Sequence, residues 1–365
     1  MRIFHYIYDH TGNPWVAGGG AVRAYELNRR LARTHDVTII SGRYPGAKDY
    51  RTPEGLSYHF AGAGANSYPL STFCYAAGAW RHLRENQKRD RPDIVVEDFA
   101  PYNPIFSYRV RPDAVIQVHQ REGILHLKKK KFLLLGAVFY LIEKYYPKRF
   151  RNRVVISELA RKTFCLDDAT VIPNGFDPAL TGAEPSDGGF ILFLGRFNIR
   201  EKGLNTLAKA MEKAKTKKTL RLVLAGGGKE DAGVRRLFAF RDAEFPGYVS
   251  GASKTKLLSS CSFLVLPSRI EGQPLALLEA AACGKPAVTS DIPALEFAAR
   301  AGFALRFKKG DPASLAEKIE TLMADKALRQ DMGRKAREFA ADYNWDAIAA
   351  RYEESLLEMK EESGR

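Results

Sequence analysis

Cysteine is scarce in this chain: four residues in 365 (Cys74, Cys165, Cys261, Cys283), far apart and with no C-x-x-C pair. A disulfide framework and cysteine-rich zinc modules are thereby excluded, and reduced, buried thiols are expected. Histidine does not supply a metal site either. All seven lie within the first 126 residues, and only His5 and His10 stand at the roughly three-to-five-residue spacing of zinc ligands, with no cysteine pair to complete a site. Long apolar runs are missing. The longest nearly unbroken one, Phe132–Ile142, has eleven residues, against the roughly 20 that span a bilayer. Met1–Tyr8 has one arginine and no small-residue cleavage site, so it does not read as a signal peptide. A cytoplasmic, non-spanning protein is expected. Biased composition is absent as well. The 30 glycines and 18 prolines are scattered, and 45% hydrophobic with 27% charged residues describes a globular protein with a real core. At about 150 residues per domain, the length suggests two domains.

What is abundant is positive charge, +15 net, and it is uneven. Residues 1–180 hold 27 basic against 17 acidic residues, and Lys128–Lys162 alone holds 11 against 2. A surplus this local implies an anionic partner, with phosphate-rich lipid, nucleotide and nucleic acid as candidates.

The element pattern is alternating. Arg2–Tyr8 reads as a strand, Gly18-Gly19-Gly20 as a loop, and Val22, Tyr25, Leu27 and Leu31 recur at roughly helical spacing. Val37–Ile40, Asp93–Val96, Val115–Val118 and Val154–Ile156 are further short strands, with a helix over Phe132–Tyr145. Thr181–Gly189 is polar and breaker-rich, a linker by composition. The pattern then restarts with strands at Phe190–Leu194, Leu220–Ala225, Phe263–Leu266 and Pro286–Ser290. Helices are expected at Leu204–Met211, Pro274–Cys283, Ala313–Met323 and Asp346–Met359. This is an α/β chain of two doubly wound parallel-sheet domains facing a crevice, with ligands beyond the carboxyl ends of the strands.

The common nucleotide and hydrolase signatures fail. Gly226-Gly227-Gly228 is followed by Lys-Glu-Asp, so the dinucleotide fingerprint lacks its third glycine; Gly284-Lys285 precedes proline rather than Ser or Thr; no G-x-S-x-G occurs. Charged groups at element ends remain. Arg196 follows one strand, with Lys202-Gly203 six residues later; Glu271-Gly272 follows another, with Glu279 eight positions on inside the next helix. Two cations at a strand end can neutralise a diphosphate, and a helix starting near Pro274 points N–H groups at the same place. Carboxylates there can accept hydrogen bonds from sugar or ribose hydroxyls.

These segments resemble glycosyltransferase family 4, retaining enzymes of the GT-B fold. LPSRIEGQPLALLEAAACGKPAV (Leu266–Val288) looks like the family's two-glutamate signature, and LGRFNIREKG (Leu194–Gly203) is similar to its Gly-Arg…Lys-Gly diphosphate motif. VIPNGFD (Val171–Asp177) resembles the interdomain hinge, and NWDAIAARY (Asn344–Tyr352) the closing helix. The resemblance implies an N-terminal domain over 1–178, a nucleotide-sugar domain over 179–345 and a helix over 346–365 packing back on the first. It implies that Arg196 and Lys202 hold the donor diphosphate, with Glu271 and the backbone of Gly272, Gln273, Pro274 and Leu275 by the donor sugar. Glu279 would bind the ribose. Val249 and Ser250, in the loop YVSGA, would flank the base, Gly18 and Gly19 would approach the phosphates, and His119 would lie near the sugar. Two positions depart from the pattern: Gln273 stands where an apolar or aromatic residue is usual, and no acidic residue follows His119.

The expected reaction is hexose transfer from a nucleotide diphosphate sugar to a hydroxyl with retained configuration, without metal or cofactor. The expected acceptor is a saccharide or lipid-linked saccharide of the cell envelope. Lys128–Arg153 joins four lysines, an apolar run and three tyrosines. It reads either as a core helix with charged flanks or as a peripheral dock on anionic membrane. A nucleotide-sugar epimerase of the same fold is the alternative enzyme. Nucleic-acid binding has the sequence pI of about 9.6 in its favour, but no binding motif, so no nucleic-acid partner is expected.

Overall fold

The computed structural model describes residues 1–15, 18–120, 133–214, 221–240 and 243–364. It divides into two units, Met1–Asn174 with Trp345–Arg365, and Gly175–Asn344.

In the first unit the chain runs β1 (Arg2–Ile7), α1 (Gly19–Leu31), β2 (Asp36–Gly42), β3 (Tyr50–Arg51), β4 (Ser57–Ala61), α2 (Tyr68–Arg89), β5 (Ile94–Asp98) and β6 (Val115–Val118). It continues through α3 (Leu133–Tyr145), β7 (Asn152–Val155), α4 (Glu158–Phe164) and β8 (Thr170–Val171). The strands form one sheet in the order β3-β4-β2-β1-β5-β6-β7-β8, parallel except for the β3–β4 pair. Central strands are buried on both faces: Ile3, Tyr6, Ile40, Val96, Ile116 and Val118 are at most 1% exposed. That explains their continuous apolar reading in sequence.

The second unit runs β9 (Phe190–Leu194), α5 (Leu204–Lys213), β10 (Arg221–Ala225), α6 (Asp231–Leu237), β11 (Ala243–Gly247), α7 (Gly251–Ser260) and β12 (Phe263–Leu266). Then follow α8 (Leu275–Ala282), β13 (Ala287–Ser290), α9 (Glu296–Arg300), β14 (Ala304–Phe307), α10 (Pro312–Ala324) and α11 (Lys326–Ala340). All six strands are parallel, in the order β11-β10-β9-β12-β13-β14. The order reverses between β9 and β12, the switch point at which open α/β sheets bind ligands. In the first unit it reverses between β1 and β5. One face of the second sheet is sealed by Phe193, Leu207, Met211, Leu224, Phe263, Leu315 and Ile319, all buried. Each such side chain contributes about 1.5–3 kcal/mol.

The last helix, α12 (Trp345–Gly364), packs on α1. Ile348, Tyr352 and Leu356 are buried, and Arg30 reaches Asp346 at 2.6 Å. The first crossing between units falls at 174/175 rather than 178/179 because Phe176 N–H donates to the Tyr343 carbonyl at 2.9 Å and bridges Asn344. Thr181–Gly189 likewise lies inside the second unit, where Ser186 and Gly188 N–H groups donate to Ser259 and Ser260. Among the described residues no helix is long and apolar enough to cross a membrane.

Candidate active site

The loops leaving β9 and β12 are brought together by backbone contact. A Cβ on Gly226 would lie 1.9 Å from the Gly195 carbonyl oxygen, at a positive φ of 142°. The turns after β9 and β10 therefore touch main chain to main chain, and Phe197 N–H donates to Gly227 at 2.8 Å across them. Arg196 lies in that turn, half exposed, with Glu201 at 3.6 Å. Gly203 caps α5 in the left-handed region (φ 64°), and a Cβ there would lie 1.9 Å from the Pro267 carbonyl. Only glycine lets the two loops close to this distance.

Lys202, the residue before Gly203, is thereby set against the loop after β12. Its Nζ donates to Glu271 Oε1 at 2.6 Å, and the same oxygen accepts from Ser268 Oγ at 2.6 Å. Ser290 Oγ, from the end of β13, donates to the Ser268 carbonyl. Glu271 is thus a nearly buried carboxylate with its orientation set by a cation and a hydroxyl.

Eight residues on, α8 carries Glu279, 8% exposed. The Lys254 ammonium of α7 donates to its Oε1 at 2.6 Å. Burial pulls Lys254 down, but the charge and hydrogen bond of Glu279 outweigh it and leave Lys254 above its ordinary value. The α8 N-cap is Pro274, which offers no capping side chain. The first-turn N–H groups therefore carry no side-chain cap from it, at the positive end of the helix dipole. Gly272, Gln273 and Leu275 adjoin it, and Val249 and Ser250 precede α7, whose N-cap is Ser250.

Arg196, Lys202, Glu271, Glu279 and the segment Gly272–Leu275 therefore all belong to the second unit, around its switch point. Gly18, Gly19 and His119 belong to the first. Gly18 is the N-cap of α1 and has open space where a Cβ would stand. His119 follows β6, and its Nε2 meets Asp98 Oδ1 at 2.5 Å. Sequence reasoning missed Lys254, Ser268 and Asp98. Lys254 sits four residues past Ser250 with no motif to mark it, and its partner is 25 positions away.

Among known proteins, the family model Glycosyltransferase Family 4 matches residues 17–180, and Glycosyl transferases group 1 matches residues 181–339. A glycogen synthase of Mycobacterium tuberculosis is 31% identical over 399 aligned residues, covering 99% of this chain and 95% of that protein. The phosphatidyl-myo-inositol mannosyltransferase of Mycobacterium leprae is 26% identical over 268 residues, 70% of each chain. Among solved structures, a sucrose-phosphate synthase from Thermosynechococcus elongatus superposes with a TM-score of 0.80 at 20% identity, covering 97% of this chain and 98% of that one. By matched models, identity and architecture together, the chain belongs to glycosyltransferase family 4 and is a glycosyltransferase of the GT-B fold.

Proposed function

We propose that this glycosyltransferase moves a hexose from a nucleotide diphosphate sugar to a hydroxyl of a saccharide or lipid-linked saccharide acceptor in cell-envelope glycan synthesis, retaining the anomeric configuration. The observation that carries the reading is the pair of lysine–carboxylate contacts, Lys202–Glu271 and Lys254–Glu279, flanking the uncapped start of α8. Negative charge grows on the departing diphosphate as the sugar becomes oxocarbenium-like. Lys202 has three N–H donors, so it can keep Glu271 while facing a phosphate oxygen. Arg196 and the α8 N–H groups add to it, and stabilisation of this kind is usually the largest catalytic contribution. Glu271, oriented by Lys202 and Ser268, positions the sugar. Glu279, paired with Lys254, accepts the ribose hydroxyls. By the family resemblance, His119 is proposed to act near the sugar. With the phosphate charge met by these groups, turnover is expected to survive chelation of divalent metal by EDTA.

The acceptor is proposed to be reached by peripheral contact with anionic membrane. Lys128–Lys131 and Phe132 lie outside the described residues. Support comes from α2, where Leu70, Phe73 and Trp80 are 54%, 73% and 38% exposed on one face, beside Arg81, Arg84 and Lys88. Val138 and Leu141 of α3 are about half exposed as well. The mannosyltransferase relative is named for a lipid, phosphatidyl-myo-inositol.

The test is a thermal-shift panel of UDP, GDP and ADP and their hexose conjugates, followed by NMR of the anomeric proton in the product. One nucleoside diphosphate at 100 times its dissociation constant should stabilise by about 2.7 kcal/mol. No shift with any of them would refute the donor class. An interconverted sugar nucleotide formed from donor alone would favour the epimerase.

A further inference from the structure

The reading above uses His119 but not the buried polar chain behind it. Asp98, the last residue of β5, stands at the switch point of the first sheet with a side chain only 3% exposed. Its Oδ1 accepts from His119 Nε2 at 2.5 Å and from Gln117 Nε2 at 2.9 Å; its Oδ2 accepts from His5 Nε2 at 2.8 Å. His5 is fully buried, and its Nδ1 accepts from the Asn28 amide at 2.7 Å. His5 therefore carries its proton on Nε2 and donates to Asp98. The other end of Gln117, Oε1, accepts from Arg23 Nη2 at 3.3 Å.

Arg23 is also fully buried and donates to the Ile172 and Pro173 carbonyls at 2.8 and 2.7 Å and to Asn174 Oδ1 at 3.2 Å. Burial pulls its guanidinium down to about 10, opposed by Tyr352 and Asp98. Burial would push the Asp98 carboxyl up. Its partners His119 and His5 outweigh that and hold it well below the usual carboxylate range. Arg23 and Asp98 are thus a buried charge pair bridged by the Gln117 amide, which satisfies both ends.

An ionised carboxylate offers only lone pairs, so the ring nitrogen of His119 facing it must carry a proton. In the neutral ring the lone pair then sits on Nδ1. Among the described residues no hydrogen-bond partner engages Nδ1, and 24% of the side chain is exposed.

We propose that Asp98 is a positioning residue that locks His119 in the Nε2–H tautomer, presenting Nδ1 as a hydrogen-bond acceptor for a sugar hydroxyl. His5, Gln117 and Arg23 keep the carboxylate ionised and oriented. The proposal rests on the reading, taken from the family resemblance, that His119 acts near the sugar. The arrangement follows the general rule that the group bonded to one imidazole nitrogen decides what the other can do.

Long-range ¹H–¹⁵N correlation spectra of the wild-type imidazoles at pH 8 test the lock directly, with no substrate present. His119 should be protonated at Nε2 alone. Asp98→Asn, which puts an amide N–H where a lone pair stood, should abolish the single tautomer. It should lower kcat on the order of 10- to 100-fold, with the donor KM changed by less than about twofold. In a His119→Ala background, Asp98→Asn should cause no further loss of kcat, because the two residues act as a unit. A wild-type proton on Nδ1 overturns the proposal, and this spectrum decides even where Asp98→Asn does not fold. A loss that multiplies in the double variant overturns it too, making Asp98 a purely structural group. His119→Ala turning over at the wild-type rate overturns the role of His119 and the proposal with it. That failure is distinguished by an intact Nε2–H tautomer.

Discussion

At the scale of single residues, the two ion pairs in the second unit differ in what they can do. In the proposed reading, Lys202 and Glu271 lie where charge changes during transfer, whereas Lys254 and Glu279 lie by a part of the donor that does not react. Lys202→Ala and Arg196→Ala should therefore each reduce kcat with folding intact, by about 10²–10³-fold if they act like oxyanion donors. Glu271→Ala should lower kcat more than it changes donor affinity. Glu279→Ala and Lys254→Ala should mainly raise the donor KM, because ribose contacts are equal in ground and transition states. Steady-state kinetics with varied donor separates these outcomes. An unchanged donor KM in Glu279→Ala would remove it from the ribose.

Elements, rather than residues, decide how rigid the site is. Gly203 joins α5 to the loop after β12, and a methyl there meets the Pro267 carbonyl as well as a left-handed backbone. Gly203→Ala is expected to cost at least about 2 kcal/mol in urea unfolding, and to weaken donor binding by displacing Lys202. A variant of wild-type stability and affinity would show that the loops need not touch. In the first unit, α2 carries a pH sensitivity of its own. His82 is stacked on His59 at 4.8 Å, and its Nδ1 is 2.9 Å from the Tyr6 hydroxyl. Burial, then the nearby His59 charge, lowers it to about 4 from the ordinary 6.5. The unfolded ring takes up its proton near pH 6.5, the folded ring only near 4. Between these values the unfolded chain binds more protons, so stability falls as pH falls, by up to about 3 kcal/mol. Thermal unfolding from pH 7.5 to 4 should show a shallower decline for His82→Phe than for wild type. Parallel declines would assign the acid sensitivity to other groups.

For the molecule as a whole, +15 of net charge with an apolar, basic-flanked face on α2 predicts where the enzyme works. Binding to anionic vesicles should be clear at low salt. It should weaken as the Debye length falls from about 30 Å at 0.01 M to about 8 Å at 0.15 M. Phe73→Ser with Trp80→Ser, and separately serine at Lys128–Lys131, should reduce vesicle binding and turnover of a lipid-linked acceptor. Turnover of a short soluble acceptor should persist, since none of these residues belongs to the second unit. Cosedimentation equal to wild type for both variants would defeat the docking idea.

The sequence by itself determined what depends on near neighbours. The strands β9, β10, β12 and β13, the helix that carries Glu279, and the placing of Lys202 before a glycine are all local patterns of burial and backbone freedom. Even so, α2 was illegible. Its buried face mixes Tyr75, Ala79 and Leu83 with the polar Ser71, Thr72 and Asn86, while Leu70, Phe73 and Trp80 face outward, which blurs the apolar stripe. The antiparallel β3, two residues long, carries too little pattern to read. Only the tertiary structure decided which charges meet. Lys254 finds Glu279 because α7 packs on α8. His5 and His119 converge on Asp98 from 93 and 21 residues away because β1, β5 and β6 are neighbours in the sheet. Strand order is set by how buried faces pack over long separations, and no window of sequence contains that competition.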